Sequence, residues 1–222
     1  MIVNERITAY INSLAKELPP ELLALEKEAL RTKVPIIKKE TQEVLRFLLN
    51  NQQPKRILEV GTAIGFSALF MSEYTEPDCR ITTIEKVQMR LMEAEKNLAN
   101  PAFPHREKIT LRKGDGLKVL QELVKEGESY DFIFLDAAKA QYMSFLPELL
   151  RLLCGKGMLV TDNVLQDGTV INSRYSISRR DRTIHTRMRE YLYTITHCEE
   201  LMTMLLPVGD GIAVSTRNEI IG

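Results

Sequence analysis

Arg56-Ile57-Leu58-Glu59-Val60-Gly61-Thr62-Ala63-Ile64-Gly65-Phe66-Ser67 is a short apolar run that breaks into a glycine-bearing turn and then enters a helical pattern. Runs that are apolar on both faces suit strands of a parallel sheet covered on both sides. The same kind of run recurs downstream as Arg80-Ile81-Thr82-Thr83-Ile84, Ile109-Thr110-Leu111, Phe132-Ile133-Phe134-Leu135 and Met158-Leu159-Val160-Thr161. Segments between them, such as 89–98 and 116–125, are long enough for crossover helices. The alternation predicts an α/β fold: a doubly wound, Rossmann-like open sheet.

Upstream of that stretch the periodicity is helical over residues 5–16, 20–32 and 39–50, with a break at Pro19-Pro20 and a bend at Val34-Pro35-Ile36-Ile37. Residues 1–52 therefore read as an N-terminal helical cap and 53–217 as the α/β core of one 1–222 domain. Downstream, a polar, arginine-rich stretch over 166–190 reads as part loop and part helix. The apolar runs 201–208 and 212–215, joined through Gly209-Asp210-Gly211, carry a hairpin signal. No internal repeat or low-complexity segment is visible.

Composition narrows the function classes. With 222 residues, 44% hydrophobic and 27% charged, the chain suits one globular core. Its 30 Lys+Arg balance 30 Asp+Glu, so nothing global advertises a polyanionic partner, and any nucleic-acid contact must come from a local patch. The three widely spaced cysteines, Cys79, Cys154 and Cys198, form neither a disulfide framework nor a thiolate zinc site, which fits a reducing compartment. The N-terminus lacks the pattern of a secretory signal, and no apolar stretch approaches the roughly 20 residues of a membrane span. These features predict a cytoplasmic protein without a membrane partner.

In an open parallel sheet, ligands bind beyond the carboxyl ends of the strands. A dinucleotide site wants Gly-x-Gly-x-x-Gly there, but here Glu59 replaces the first glycine and Gly65 lies one position late. A carboxylate at that place repels a phosphate, so the turn suits a cationic nucleoside without phosphates, of which S-adenosylmethionine is the common one. Glu85 ends the second strand at the right place to accept from ribose hydroxyls, and Gly114-Asp115-Gly116 ends the third, where an acceptor can read an exocyclic amine. Singly, each of these is also readable as a tight turn, a helix cap or a solvated charge. Their recurrence after successive strands favours a site.

The fourth strand ends in Asp136-Ala137-Ala138-Lys139 and the fifth in Asp162-Asn163. If the two strands are neighbours, two carboxylates and an amide oxygen converge, a donor set suited to a hard cation such as magnesium, manganese or calcium. The plain alternative is that Asp136 and Asp162 cap the helices that follow them.

The stretch 59–67 together with Phe134-Leu135-Asp136-Ala137-Ala138-Lys139, Thr161-Asp162-Asn163-Val164-Leu165 and Pro207-Val208-Gly209-Asp210-Gly211 resembles the metal-dependent O-methyltransferases of the catechol and caffeoyl-coenzyme A type over nearly the whole chain. The resemblance implies a seven-stranded class I methyltransferase sheet with an antiparallel last hairpin strand, and a divalent cation, Mg2+ or a similar hard ion, at Asp136, Asp162 and Asn163. It also implies S-adenosylmethionine at Ile37, Glu59, Gly61, Gly65, Ser67, Glu85, Asp115, Gly116 and Asp136, and Lys139 as general base. Related enzymes are often dimers, so a homodimer is expected.

Within that family the chain most resembles the bacterial tRNA 5-hydroxyuridine methyltransferases, through Val34-Pro35-Ile36, Asp136-Ala137-Ala138-Lys139-Ala140-Gln141-Tyr142 and the arginine-rich segment. A 5-hydroxyl beside the 4-carbonyl presents two neighbouring oxygens much as a catechol does. Arg174, Arg179, Arg180, Arg182 and Arg187 are then the expected contacts to a tRNA anticodon loop, because arginine binds phosphates bidentately and stacks on bases. The alternatives are a solvated helix face and a small-molecule enzyme acting on vicinal oxygens. Tyr142 and Tyr175 read equally as base-stacking or core residues, and His185 as a surface or packing residue.

Overall fold

The computed structural model describes residues 3–218, so the two ends of the expected 1–222 domain lie outside the described residues, as does the side chain of Arg174. Seven strands, β1 (Arg56–Val60), β2 (Arg80–Glu85), β3 (Ile109–Lys113), β4 (Tyr130–Leu135), β5 (Leu153–Thr161), β6 (Leu201–Leu206) and β7 (Ile212–Arg217), form one sheet. Their spatial order is β3-β2-β1-β4-β5-β7-β6. Pairing is parallel from β3 through β5, and β7 runs antiparallel to both β5 and β6. The chain therefore has the expected doubly wound sheet with its reversed hairpin strand, which is the class I methyltransferase fold.

Among the described residues eight α-helices accompany it: α1 (Glu5–Ser13), α2 (Pro20–Thr32), α3 (Lys39–Gln52), α4 (Phe66–Glu73), α5 (Gln88–Ala99), α6 (Gly116–Lys125), α7 (Tyr142–Leu152) and α8 (Arg182–His197). Helix α1 stops short of the expected residue 16. Helix α7, which the periodicity does not pick out, carries Pro147 in its interior, a residue that normally argues against helix. The arginine-rich stretch is mixed, as expected: short 3-10 turns at Gln166–Ile171 and Arg174–Ser176 precede α8. Among the described residues no helix is long and apolar enough to cross a membrane.

Strand residues alternate between two apolar layers, as the pleat requires. Leu58, Val60, Ile133, Leu135 and Leu159 pack against α6, α7 and α8 through Leu120, Phe145, Leu149, Met188 and Tyr191. Ile57, Phe132, Phe134, Met158 and Val160 pack against α2, α3 and α4 through Leu22, Leu45, Leu49, Phe66 and Phe70. Burying each such side chain contributes roughly 2 kcal/mol, more than the whole span of intrinsic strand propensity, so the sandwiching of the sheet fixes its register.

Glu59 occupies one of these interior positions and is completely buried. Its carboxylate accepts hydrogen bonds from the hydroxyls of Ser67 at the start of α4 and Thr83 on β2, while Thr62 bonds to Thr83 at 2.5 Å. The cluster ties β1, β2, the glycine-bearing turn and α4 together. Burial is the main cause that raises its pKa from 4.5 to about 7, against the lowering influence of the two hydroxyls.

The hairpin turn between β6 and β7 docks on the segment after β5. Val164 N donates to Gly211 O and Leu165 N to Asp210 O, each at 2.9 Å. Gly211 has φ +89°, and a Cβ there would lie 2.3 Å from Leu165 Cγ and 2.7 Å from its backbone nitrogen.

Two expectations follow. Gly211→Ala should lower stability by about 3 kcal/mol, from the left-handed backbone plus overpacking. Gly127→Ala, at φ +74° but facing open space, should cost only about 1 kcal/mol; urea midpoints of both variants check the difference. For Glu59, the raised folded pKa means the proton is held more tightly in the folded chain, so its contribution to stability is complete below pH 4.5 and is lost as pH rises toward 7. The loss amounts to about 3 kcal/mol. Glu59→Gln should therefore show a smaller fall in melting temperature between pH 5 and 7 than the unaltered chain, measured by calorimetry.

Candidate functional site

The parallel ladders continue one residue past the strands. Gly61 N and Thr62 N donate to Ile84 O at 3.1 Å, Asp136 N to Val60 O and Asp162 N to Leu135 O at 3.0 Å. These bonds set Gly61, Asp136 and Asp162 at one level along the carboxyl edge, on either side of the point where the strand order reverses. There they line a cleft of about 720 Å³, with Ile37, Glu85, Gly116, Lys139 and Asn163 also on its walls.

The cofactor half is shaped by missing side chains and a tethered acid. A Cβ on Gly61 would lie 2.0 Å from the carbonyl oxygen of Asp136, and one on Gly116 would lie 2.9 Å from the ring of Phe145. Glu85 is buried, and its carboxylate accepts from three backbone N–H groups: Ala63 on one oxygen at 2.9 Å, Lys86 and Val87 on the other at 2.8 Å each. With about two acceptor directions per oxygen, these bonds leave one direction open on Oε2 and none on Oε1 among the described residues.

Asp115 does not line the cleft; it is bound by Lys86 at 2.8 Å, while its neighbours Gly114 and Gly116 do line it. Glu59, Ser67 and Gly65 are also absent from the lining. The first two are bonded to each other beneath the turn, and Gly65 faces Leu98 and Ala94 of α5. Their place is to support the turn rather than to form the cleft wall.

The other half of the cleft gathers the expected acids. Asp162 is 2% exposed. It accepts from its neighbour's backbone, Asn163 N, at 2.7 Å and from Thr41 Oγ1 at 3.5 Å. Asn163 adopts a left-handed backbone, φ 59°, which turns its side chain back into the cleft. The carboxylate of Asp136 has no hydrogen-bond partner among the described residues.

Burial raises Asp162 to about 7, with the charge of Asp136 adding to the shift. Burial raises Asp136 to about 6, partly offset by Lys139 and Arg90. Two desolvated carboxylates that disfavour each other's charge, one of them without a protein donor, form a donor set that a hard cation suits. Among the described residues no group of three or more His, Cys, Asp or Glu is assembled for a metal; the side chain nearest in kind on the same wall is the amide of Asn163.

Lys139 lies in the 3-10 turn Lys139–Gln141, lining the cleft. Arg187 holds that turn by donating to Ala140 O at 2.7 Å. Arg182 donates to Ile177 O at 3.1 Å, so these two expected RNA contacts are engaged with backbone carbonyls of their own chain. Arg179 and Arg180 are exposed and make no ion pair or hydrogen bond among the described residues. Tyr175 is 90% exposed, whereas Tyr142 is buried edge-on against Tyr191, ring centroids 5.4 Å apart, and donates to Asp162 O at 3.2 Å. His185 is buried and bonded to Asn172 O at 3.1 Å, a packing residue.

The sequence reading misses Lys38, Arg90 and Asp210, all of which line the cleft. Asp210 was legible only as a turn residue. The other two sit on elements whose proximity to the site comes from tertiary folding.

Comparison with known proteins agrees with this geometry. A family model described as O-methyltransferase matches residues 12–218. A catechol O-methyltransferase of Niastella koreensis is 30% identical over 171 residues, covering 76% of each chain. A caffeoyl-CoA O-methyltransferase of Stellaria longipes is 28% identical, covering 79% of this chain and 73% of its own length. A crystal structure described as a "putative caffeoyl-CoA O-methyltransferase" from Staphylococcus aureus superposes with a TM-score of 0.87 at 29% identity, over 96% of this chain and all of that one. With a family match across nearly its full length, the sheet order of that fold and paired acids at the ends of β4 and β5, this chain belongs to the O-methyltransferase family.

Proposed function

We propose that the protein transfers the methyl group of S-adenosylmethionine to one of two adjacent oxygens on its acceptor, with a hard divalent cation held by Asp136, Asp162 and Asn163. The observation that supports this most is the pair of mutually repelling carboxylates, half-buried Asp136 and buried Asp162, opening into the same cleft as Glu85 and Gly61. The sulfonium supplies an electrophilic methyl carbon, and a hard cation, when bound, lowers the cost of forming an oxyanion. The chain does the rest by positioning. Glu85 receives a ribose hydroxyl, the turn at Gly61, packed against the Asp136 carbonyl with no room for a Cβ, seats the donor, and the acids fix the acceptor's direction of attack. Lys139 takes the hydroxyl proton on Nζ as the new carbon–oxygen bond forms and the carbon–sulfur bond breaks, leaving S-adenosylhomocysteine.

Two acceptors meet the requirement for neighbouring oxygens. A catechol-type small molecule is supported by the names of the relatives, catechol and caffeoyl-CoA O-methyltransferases. A 5-hydroxyuridine in a tRNA anticodon loop is supported by a specific feature of the surface. Arg179, Arg180 and Tyr175 are exposed on the segment that leaves the cleft after Asn163 and is tied to Lys38 through Asp167 at 3.5 Å.

Incubation with labelled S-adenosylmethionine and Mg2+, using either a catechol panel or tRNA lacking the modification, decides between them. Label in catechols alone removes the tRNA reading, and label in tRNA alone removes the small-molecule one. Asp136→Ala or excess chelator should reduce turnover at least 100-fold on whichever acceptor is used; full activity in either condition would overturn the cation's role. If tRNA is the acceptor, Arg179→Ala with Arg180→Ala should weaken tRNA binding and reduce the slope of log Kd against log salt by about 2, leaving cofactor affinity unchanged.

A further inference from the structure

Asp210 lies in the turn between β6 and β7, distant in sequence from everything else in the cleft. Its Oδ1 accepts from Lys38 Nζ at 2.5 Å, and its Oδ2 accepts from Asn163 Nδ2 at 3.2 Å. Lys38 also reaches Asp167 Oδ1 at 3.5 Å. The backbone leaves Asp210 little freedom to retreat, because its carbonyl receives Leu165 N and the next residue, Gly211, is packed against Leu165 with no space for a side chain.

An ionised carboxylate only accepts hydrogen bonds, whereas an amide has one donating and one accepting end. Asp210 therefore chooses between the two orientations of Asn163. The NH2 group must face Asp210, which turns Oδ1 away from it. We infer that Asp210 is a positioning residue for the cation site: by binding the amide nitrogen of Asn163 it presents the amide oxygen as a ligand, and Lys38 holds Asp210 in place for that task. This inference rests on the proposed cation at Asp136, Asp162 and Asn163. Partners that orient a metal ligand in this way commonly matter about 10- to 100-fold in affinity.

The isosteric variant makes a pointed test. In Asp210→Asn the cationic Lys38 attracts the new amide's oxygen, so its NH2 group faces Asn163. Asn163 must then reverse, turning its oxygen away from the cation. The measurement is Mn2+ binding by electron paramagnetic resonance on the full chain, with S-adenosylhomocysteine affinity as the check of folding. Asp210→Asn should weaken Mn2+ binding about 10- to 100-fold, and should do nothing further in an Asn163→Ala background.

Wild-type affinity in Asp210→Asn, or an equal loss in the Asn163→Ala background, overturns the inference, the second outcome showing a mere charge effect. Lys38→Met is an independent arm. Removing a positive charge alone would tighten Mn2+, whereas loss of the tether weakens it, so tighter binding also overturns the inference. An unaltered chain that takes up no Mn2+ removes the proposed cation itself, a failure distinct from those.

Discussion

Everything in the cleft depends on the parallel ladder continuing past the ends of its strands. The N–H of Asp136 is spent on β1 and the N–H of Asp162 on β4. The two acids are thereby fixed at equal depth, a strand spacing apart, whatever their side chains prefer. Burial then makes them poor places for charge, since each is desolvated and Asp136 raises the free energy of an ionised Asp162. The sheet thus creates an electrostatic problem at its own edge, the one that the proposed cation would resolve. The same ladder brings the N–H groups of Gly61 and Thr62 to β2, so the glycine-bearing turn and the paired acids share one rigid frame.

The strands are legible in the sequence because each is apolar on both faces, and two-layer burial demands that pattern. The acids at the strand ends were legible for a related reason: the residue after a buried parallel strand is where the apolar run stops and function begins. Glu59 is a different case. Its sequence position suggested a cofactor contact, but the two-residue period of β1 places it in the interior with Ile57, where it supports the turn from below.

What was hidden depends on long-range geometry. Nothing in Ile36-Ile37-Lys38 or in Gly209-Asp210-Gly211 announces that the two segments touch. Helix α7 was obscured by Pro147, whose missing N–H is tolerated because Phe145, Leu146, Leu149 and Leu152 bury a full apolar face. The arginines illustrate the limit of counting charges. Composition put Arg179, Arg180, Arg182 and Arg187 in one class, but the structure separates two that face solvent from two that hold loops through carbonyl oxygens. A local charge excess says where cations are, not which are spent.

The bond from Lys38 to Asp210 joins residues 172 positions apart. Contacts of such separation are late entropic events, because the intervening chain must be organised before they are rewarded. During synthesis the glycine-bearing turn and the β4 acid emerge long before the hairpin that carries Asp210. Completion of the catalytic pocket is therefore coupled to delivery of the last two strands.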